Sequence, residues 1–272
     1  MVATRYVVDA AGPASLGFWR YLVGLTCLLP VTFLRPWRGI AVHDLLPISL
    51  LGIGQFAILI VLLNYSLLHI PAARASVLFS TFPLMTMMLS ALLGRERLTL
   101  VKVGGSLLTF VGVAVALGGA ALAPEAGKGS MWLGTLAALG AAFRGAACSI
   151  SYAPYVARYS SLHVTSVAML AAVVALAALA IPEGLFAGWP AFTAAEGAAI
   201  LFIGASSGVG FFCWVYALGN ASPSLVTMFL ALSPVTAALG GTFLLGEPLP
   251  LAALIGLACV TVGLWWALRP ST

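Results

Sequence analysis

The strongest constraint on this sequence is a succession of long apolar runs separated by short connections. A helix needs about 20 apolar residues, at 1.5 Å rise each, to cross the hydrocarbon core of a bilayer. Nine windows meet that length, approximately 14–34, 46–68, 72–93, 103–122, 131–157, 164–182, 197–218, 224–245 and 251–268. Pro36, Pro71, Pro124, Pro190, Pro223, Pro248 and Pro250 stand in or beside the connections, where chain breakers belong. The runs are too long for strands and lack the two-residue alternation of membrane barrels. An all-α integral membrane bundle is the fold class that remains.

Composition agrees. Only 7% of the 272 residues are charged, against about 25% in soluble chains. Nineteen charges (12 basic and 7 acidic) cannot form a water-facing shell. A soluble enzyme, a disordered chain and a secreted disulfide scaffold are excluded. The net charge of +5 is scattered between apolar runs rather than gathered in a stripe, so the bilayer, and no nucleic acid, is the expected partner. Cys27, Cys148, Cys213 and Cys259 lie in apolar runs without a CxxC pair. Neither a disulfide framework nor a metal site is indicated, and no cofactor is expected.

Lys and Arg in short loops set orientation. With the loop after window 14–34 inside, Arg35, Arg38, Arg95, Arg97, Lys102, Arg158 and Arg269 are cytoplasmic. The other side receives Arg5, Arg74 and Lys128. Seven against three puts the C-terminus of a multi-pass membrane protein in the cytoplasm.

A shift of 151 residues reveals an internal repeat. Tyr65 meets Tyr216, Pro83 meets Pro234, Glu96 meets Glu247, Gly105 meets Gly256 and Gly112 meets Gly263. The register holds without a gap for some fifty residues. The loop at Gly94-Arg95-Glu96-Arg97 is inside, and its counterpart at Leu245-Gly246-Glu247-Pro248 is outside and lacks both arginines. Inverted repeats of this kind belong to secondary transporters. The expected architecture is a ten-helix bundle of two inverted five-helix repeats, residues 1–122 and 131–268, with nine full spans visible. Residues 1–10 align only with the last turns of window 131–157. About twenty residues of a first helix are therefore expected before Met1; the alternative is a nine-span protein whose N-terminus starts outside.

At this point the sequence resembles the EamA family of the drug/metabolite transporter superfamily. Ala14-Ser15-Leu16-Gly17-Phe18-Trp19-Arg20, after Gly12-Pro13, looks like that family's second-helix start with its arginine. Tyr65-Ser66-Leu67 and Tyr216-Ala217-Leu218 look like its paired helix ends. Leu93-Gly94-Arg95-Glu96 and Leu245-Gly246-Glu247 look like its paired glutamate turns, each followed by a glycine-bearing helix. The resemblance implies ten helices, both termini cytoplasmic, a place in the bacterial inner (plasma) membrane, a central cavity, and transport of small metabolites, often amino acids and frequently outward.

Arg144 is the most informative single residue. It stands about thirteen residues from either end of its window, roughly 20 Å of helix, too deep for easy snorkelling. A central Arg costs at least about 2.5–3.5 kcal/mol on insertion scales. No Asp or Glu falls inside any of the nine windows. Its helical face carries Gly140, Cys148, Ser151 and Tyr155, with Tyr152 beside it, a small and polar stripe suited to a water-filled cavity. Arg144 is expected to meet a carboxylate or other anionic group of the substrate; the alternative is that it bonds backbone carbonyls or an acid in the absent helix. Arg20, about six residues into its window, reads as a snorkelling or carbonyl-bonded arginine.

Pro83 and Pro234 fall in the middle of their windows and each removes a backbone donor. They are candidate hinges for alternating access, or static kinks. Ser76 and Ser80 share the Pro83 stripe, and Thr227 is the counterpart of Ser76. Gln55, Ser207 and Trp214 complete the expected cavity lining. Gly105, Gly112 and Gly119, with Gly256 and Gly263, read as close helix packing. The expected function is secondary transport of amino-acid-like or organic anionic or zwitterionic metabolites, by a monomer or homodimer. A membrane-embedded enzyme would need embedded acids or histidines, and a non-transporting subunit would not need Arg144. His43, His69 and His163 lie in loops or at window ends, and there is no Walker A motif.

Overall fold

The computed structural model describes residues 12–34, 39–96, 98–122, 131–185, 193–232 and 251–267. Pro234 and Glu247 lie outside them. The regular elements among the described residues are all helices, with no strand. The helices are α1 (Pro13–Leu34), α2 (Val42–Gly52), α3 (Leu59–His69), α4 (Ala72–Phe79), α5 (Phe82–Leu92), α6 (Leu100–Leu122), α7 (Met131–Arg158), α8 (Ser161–Leu179), α9 (Ala194–Asn220), α10 (Pro223–Met228) and α11 (Leu251–Ala267). Six stretches among them are long and apolar enough to cross a membrane: Pro13–Leu34, Val42–His69, Arg74–Leu92, Met131–Arg158, Ser161–Leu179 and Glu196–Asn220.

Three windows depart from a regular helix. Between α2 and α3 the chain widens into a π-helical stretch, Ile53–Ile58, where the Leu59 N–H reaches back to the Gly54 carbonyl. Window 72–93 is two helices, not one kinked helix. Pro83 cannot supply the N–H that would continue the α-helical ladder. The chain tightens instead, with the Thr81 N–H on the Leu78 carbonyl at 3.2 Å, and restarts at Phe82. Pro83 therefore lies in the first turn of α5 rather than at mid-helix. The counterpart α10 also tightens, into a 3₁₀ turn at Phe229–Ala231.

The chain forms two compact units, Met1–Leu68 with Ser151–Asn220, and His69–Ile150 with Ala221–Thr272. They cut across the two halves of the sequence, since each draws helices from both. In the first unit α1 packs on α8 and α9, and α2 packs on α8. Gly24 lies against Gly204 and Gly208, and the Arg20 carbonyl faces Gly204, so α1 and α9 run parallel. Thr32 meets Ser166 at 2.8 Å and Gly17 meets Leu176, so α1 and α8 run antiparallel.

In the second unit the main contact is α6 on α11. A Cβ placed on Gly105 would lie 2.6 Å from the Gly263 carbonyl oxygen, and one on Gly112 2.8 Å from that of Gly256. The two backbones touch and cross antiparallel. In lipid, where apolar side chains gain little by leaving their surroundings, such small-residue seams let backbones approach closely. Val113, Met228, Val260, Leu264 and Ala267 form the adjoining core. Every relative direction above agrees with strict alternation along the nine windows.

Candidate functional site

In α7, Arg144 is half-buried and its Nε atom is buried with no hydrogen-bond partner among the described residues. Cys148, one turn on, is 1% exposed, and Ser149 and Tyr152 are fully buried. Arg144 and Cys148 belong to the second unit, Ser151 and Tyr152 to the first, because the units change within α7. No cluster of three or more metal-ligating side chains occurs among the described residues.

The remaining expected lining residues divide between the units. In the first, Gln55 is buried on the π-helical stretch with its Oε1 unpartnered among the described residues. Ser207 accepts a 2.7 Å bond from Arg20 Nε and donates to the Ile203 carbonyl. Arg20 also lies over the Tyr21 ring at 5.6 Å, and Tyr21, Phe56 and Phe211 form a ring cluster. Arg20 is thus held by a side chain of another helix. Trp214 is half-buried in α9. In the second unit, Ser76 and Ser80 are half-buried on and just after α4, and Ser80 donates to the Val77 carbonyl at 2.6 Å. Thr227 is fully buried and donates to the Ser224 carbonyl.

Three carboxylates organise the ends of helices; the sequence singles out Glu96 but not its distant partner, and it does not single out Asp44 or Glu183. Asp44 lies in the first turn of α2 and is 6% exposed. It falls outside window 46–68, but the helix begins at Val42 and takes it into the stretch long enough to span. Tyr159 donates to Asp44 Oδ2 at 2.6 Å, Arg158 Nη1 lies 3.3 Å away and His43 Nε2 3.6 Å. That bond to a carboxylate pushes the Tyr159 phenol pKa up, and burial adds to the rise. Glu183 accepts the Ala14 and Ser15 N–H groups at 3.0 and 2.7 Å, closing the N-terminus of α1. Glu96 pairs with Lys102 at 3.1 Å and accepts the Ser224 N–H at the start of α10. The paired glutamate turn is visible in sequence, but partners more than a hundred residues away are not.

A model described as the EamA-like transporter family matches residues 1–118 and 131–269. A Streptantibioticus cattleyicolor protein named "Probable terminal-alkyne amino-acid exporter" is 31% identical over 264 residues, covering 93% of this chain and 83% of the relative. A protein of Archaeoglobus fulgidus named "Uncharacterized transporter" is 28% identical over 268 residues, covering 98% and 92%. A solved structure described only as that of a protein superposes with a TM-score of 0.80 at 22% identity, over 96% of this chain and 91% of that one. That likeness shows the fold.

Proposed function

The chain belongs to the EamA-like transporter family, and from that premise we propose that it exports small amino-acid-like or anionic metabolites by alternating access. The protein is a multi-pass membrane transporter, not an enzyme. The reading of its substrate rests on Arg144, a cation inside α7 whose Nε has no partner among the described residues. A buried donor without a partner costs about 1–3 kcal/mol, more when charged. A substrate carboxylate would recover that cost at the moment of binding. The relative named as an amino-acid exporter supports the same class and the outward direction.

Alternating access about an inverted repeat is supported by α6 and α11. The shift that aligns Gly105 with Gly256 and Gly112 with Gly263 exchanges the two glycine contacts, as a twofold axis at the crossing would. The broken window 72–93 and the tightened turn after α10 fall at corresponding positions. They are the hinge region we assign to Pro83 and Pro234, within a ten-helix arrangement of two inverted halves. Cysteine labelling from each face would show locked access in Pro83→Ala and Pro234→Ala; unchanged labelling would reject the hinge. Excess basic loop residues favour an inner-membrane protein with its C-terminus inside. Ser76, Ser80, Cys148, Ser151, Tyr152, Thr227, Gln55, Ser207 and Trp214 remain its proposed lining.

The test compares fluxes of a neutral amino acid and of its decarboxylated amine in proteoliposomes. Arg144→Ala should cut the amino-acid flux at least tenfold and leave the amine flux within about twofold. Equal losses on both solutes would remove the carboxylate-binding role.

A further inference from the structure

Helix α7 passes from one compact unit to the other between Ile150 and Ser151. It is helical from Met131 to Arg158, yet it contains Pro154. Proline has no N–H, so the carbonyl four residues earlier, that of Ile150, loses its helical donor. A membrane helix tolerates this where protein supplies a replacement. Here Nη1 of Arg95 donates to the Ile150 carbonyl at 2.5 Å. The one carbonyl released by the proline is met by a charged donor, at the residue where the unit changes.

The Arg95 side chain is delivered by a defined turn. Gly94 adopts φ +67°, its N–H bonds the Ala91 carbonyl at 3.0 Å, and the Arg95 N–H bonds that of Ser90 at 2.9 Å. This is the double closure that ends a helix with a left-handed glycine. Beyond Pro154, the end of α7 is tied separately, through Arg158 and Tyr159 to Asp44. Each side of the proline thus has its own anchor within its own unit, and the missing helical bond lies between them.

We propose that Pro154 is the pivot of α7 and that Arg95 is a positioning residue for the transport cycle. Its bond to the Ile150 carbonyl holds α7 continuous in the conformation described, and release of that bond accompanies the bend that forms the opposite-facing conformation. Arg144 lies on the same helix, about 15 Å before the proline, so the bend carries the proposed substrate-binding cation with it. The inference rests on the alternating-access reading.

Spin labels at Leu98→Cys and Ser160→Cys, both exposed and one in each unit, test it by pulsed dipolar distance measurement in proteoliposomes. Cys27, Cys148, Cys213 and Cys259 are first replaced by alanine. Two distance populations are expected. Arg95→Ala should move their ratio roughly threefold or more one way, and Pro154→Ala, which restores the helical donor, the same amount the other way. Arg95→Lys, which keeps a charged donor, should remain within about twofold of the parent. Should Arg95→Ala not insert, Arg95→Gln carries the same prediction. Two populations whose ratio ignores these variants would overturn the pivot alone. A single population in the parent would overturn alternating access and the pivot with it.

Discussion

The two compact units are built from the same material and held in different ways. The first is fastened by polar groups near its helix ends. Glu183 closes the start of α1, and Asp44 gathers Arg158, Tyr159 and the start of α2. Between those ends its described helices run unbroken apart from one π-helical stretch. The second has such a clamp in Glu96 with Lys102 and the Ser224 N–H. Its main contact, however, is a glycine seam more extensive than the Gly24–Gly204–Gly208 contact of the first, and the unit contains the break at Ser80–Thr81 and the tightened turn after α10. Motion is expected where helices are interrupted. Charged clamps at helix ends hold the helices they join as one body, whereas broken helices beside a seam poor in side chains can change shape while giving up little packing.

The largest effect should come from the seam. Gly263→Leu would drive a side chain into the Gly105 carbonyl and Thr109, and neither backbone can withdraw. Overpacking of this kind costs about 1–3 kcal/mol or more, seen as lost expression or a thermal midpoint many degrees lower. Gly210→Leu in the first unit has open space around its Cβ and should leave the midpoint within a degree or two. Equal effects of the two would contradict the close packing of the α6–α11 seam.

Next comes Asp44→Ala, which strips both donors of their acceptor. Arg158 is more than half exposed, so most of the loss should come through Tyr159, about 1–2 kcal/mol. A larger fall in midpoint for Arg158→Ala than for Tyr159→Phe would contradict that division. Glu183→Gln removes a charge from the start of α1 and should cost about 1 kcal/mol, measured as a fall in midpoint with flux retained. The smallest effect concerns alkaline pH. The Tyr159 pKa is raised from its ordinary value of 10.0, so its contribution is complete below that pH and is lost only as pH climbs through the raised value. A midpoint that already declines between pH 8 and 9 through Tyr159, and is flattened by Tyr159→Phe, would contradict the raised pKa.

The parts legible in the sequence are those governed by length and period. Window edges at 14–34 and 131–157 fall within a residue of α1 and α7, because about 20 apolar residues fix a span whatever surrounds it. The seven-residue spacing of Gly105 and Gly112 predicts the close packing that the structure shows, since only a bare backbone fits there. Long-range polar partners are not legible. Glu183 binds residues 168 and 169 positions away, and nothing in its neighbourhood distinguishes it from a solvated loop glutamate. Asp44 escapes for a local reason: a polar residue in a first turn looks like the end of an apolar run. Pro83 reads as a kink, but the hydroxyls of Ser80 and Thr81 beside it bond the preceding carbonyls and complete the break.

The proposed carriage of amino-acid-like solutes by alternating exposure of one site requires that solute on one face speed movement from the other. Counterflow in proteoliposomes tests it most directly, using a panel of radiolabelled neutral amino acids with the same unlabelled solute on the opposite side. Saturable flux is expected, accelerated severalfold by the opposite-side solute for at least one member of the panel. Flux that rises linearly with concentration and ignores the opposite side, or no protein-dependent flux for any member, would contradict it.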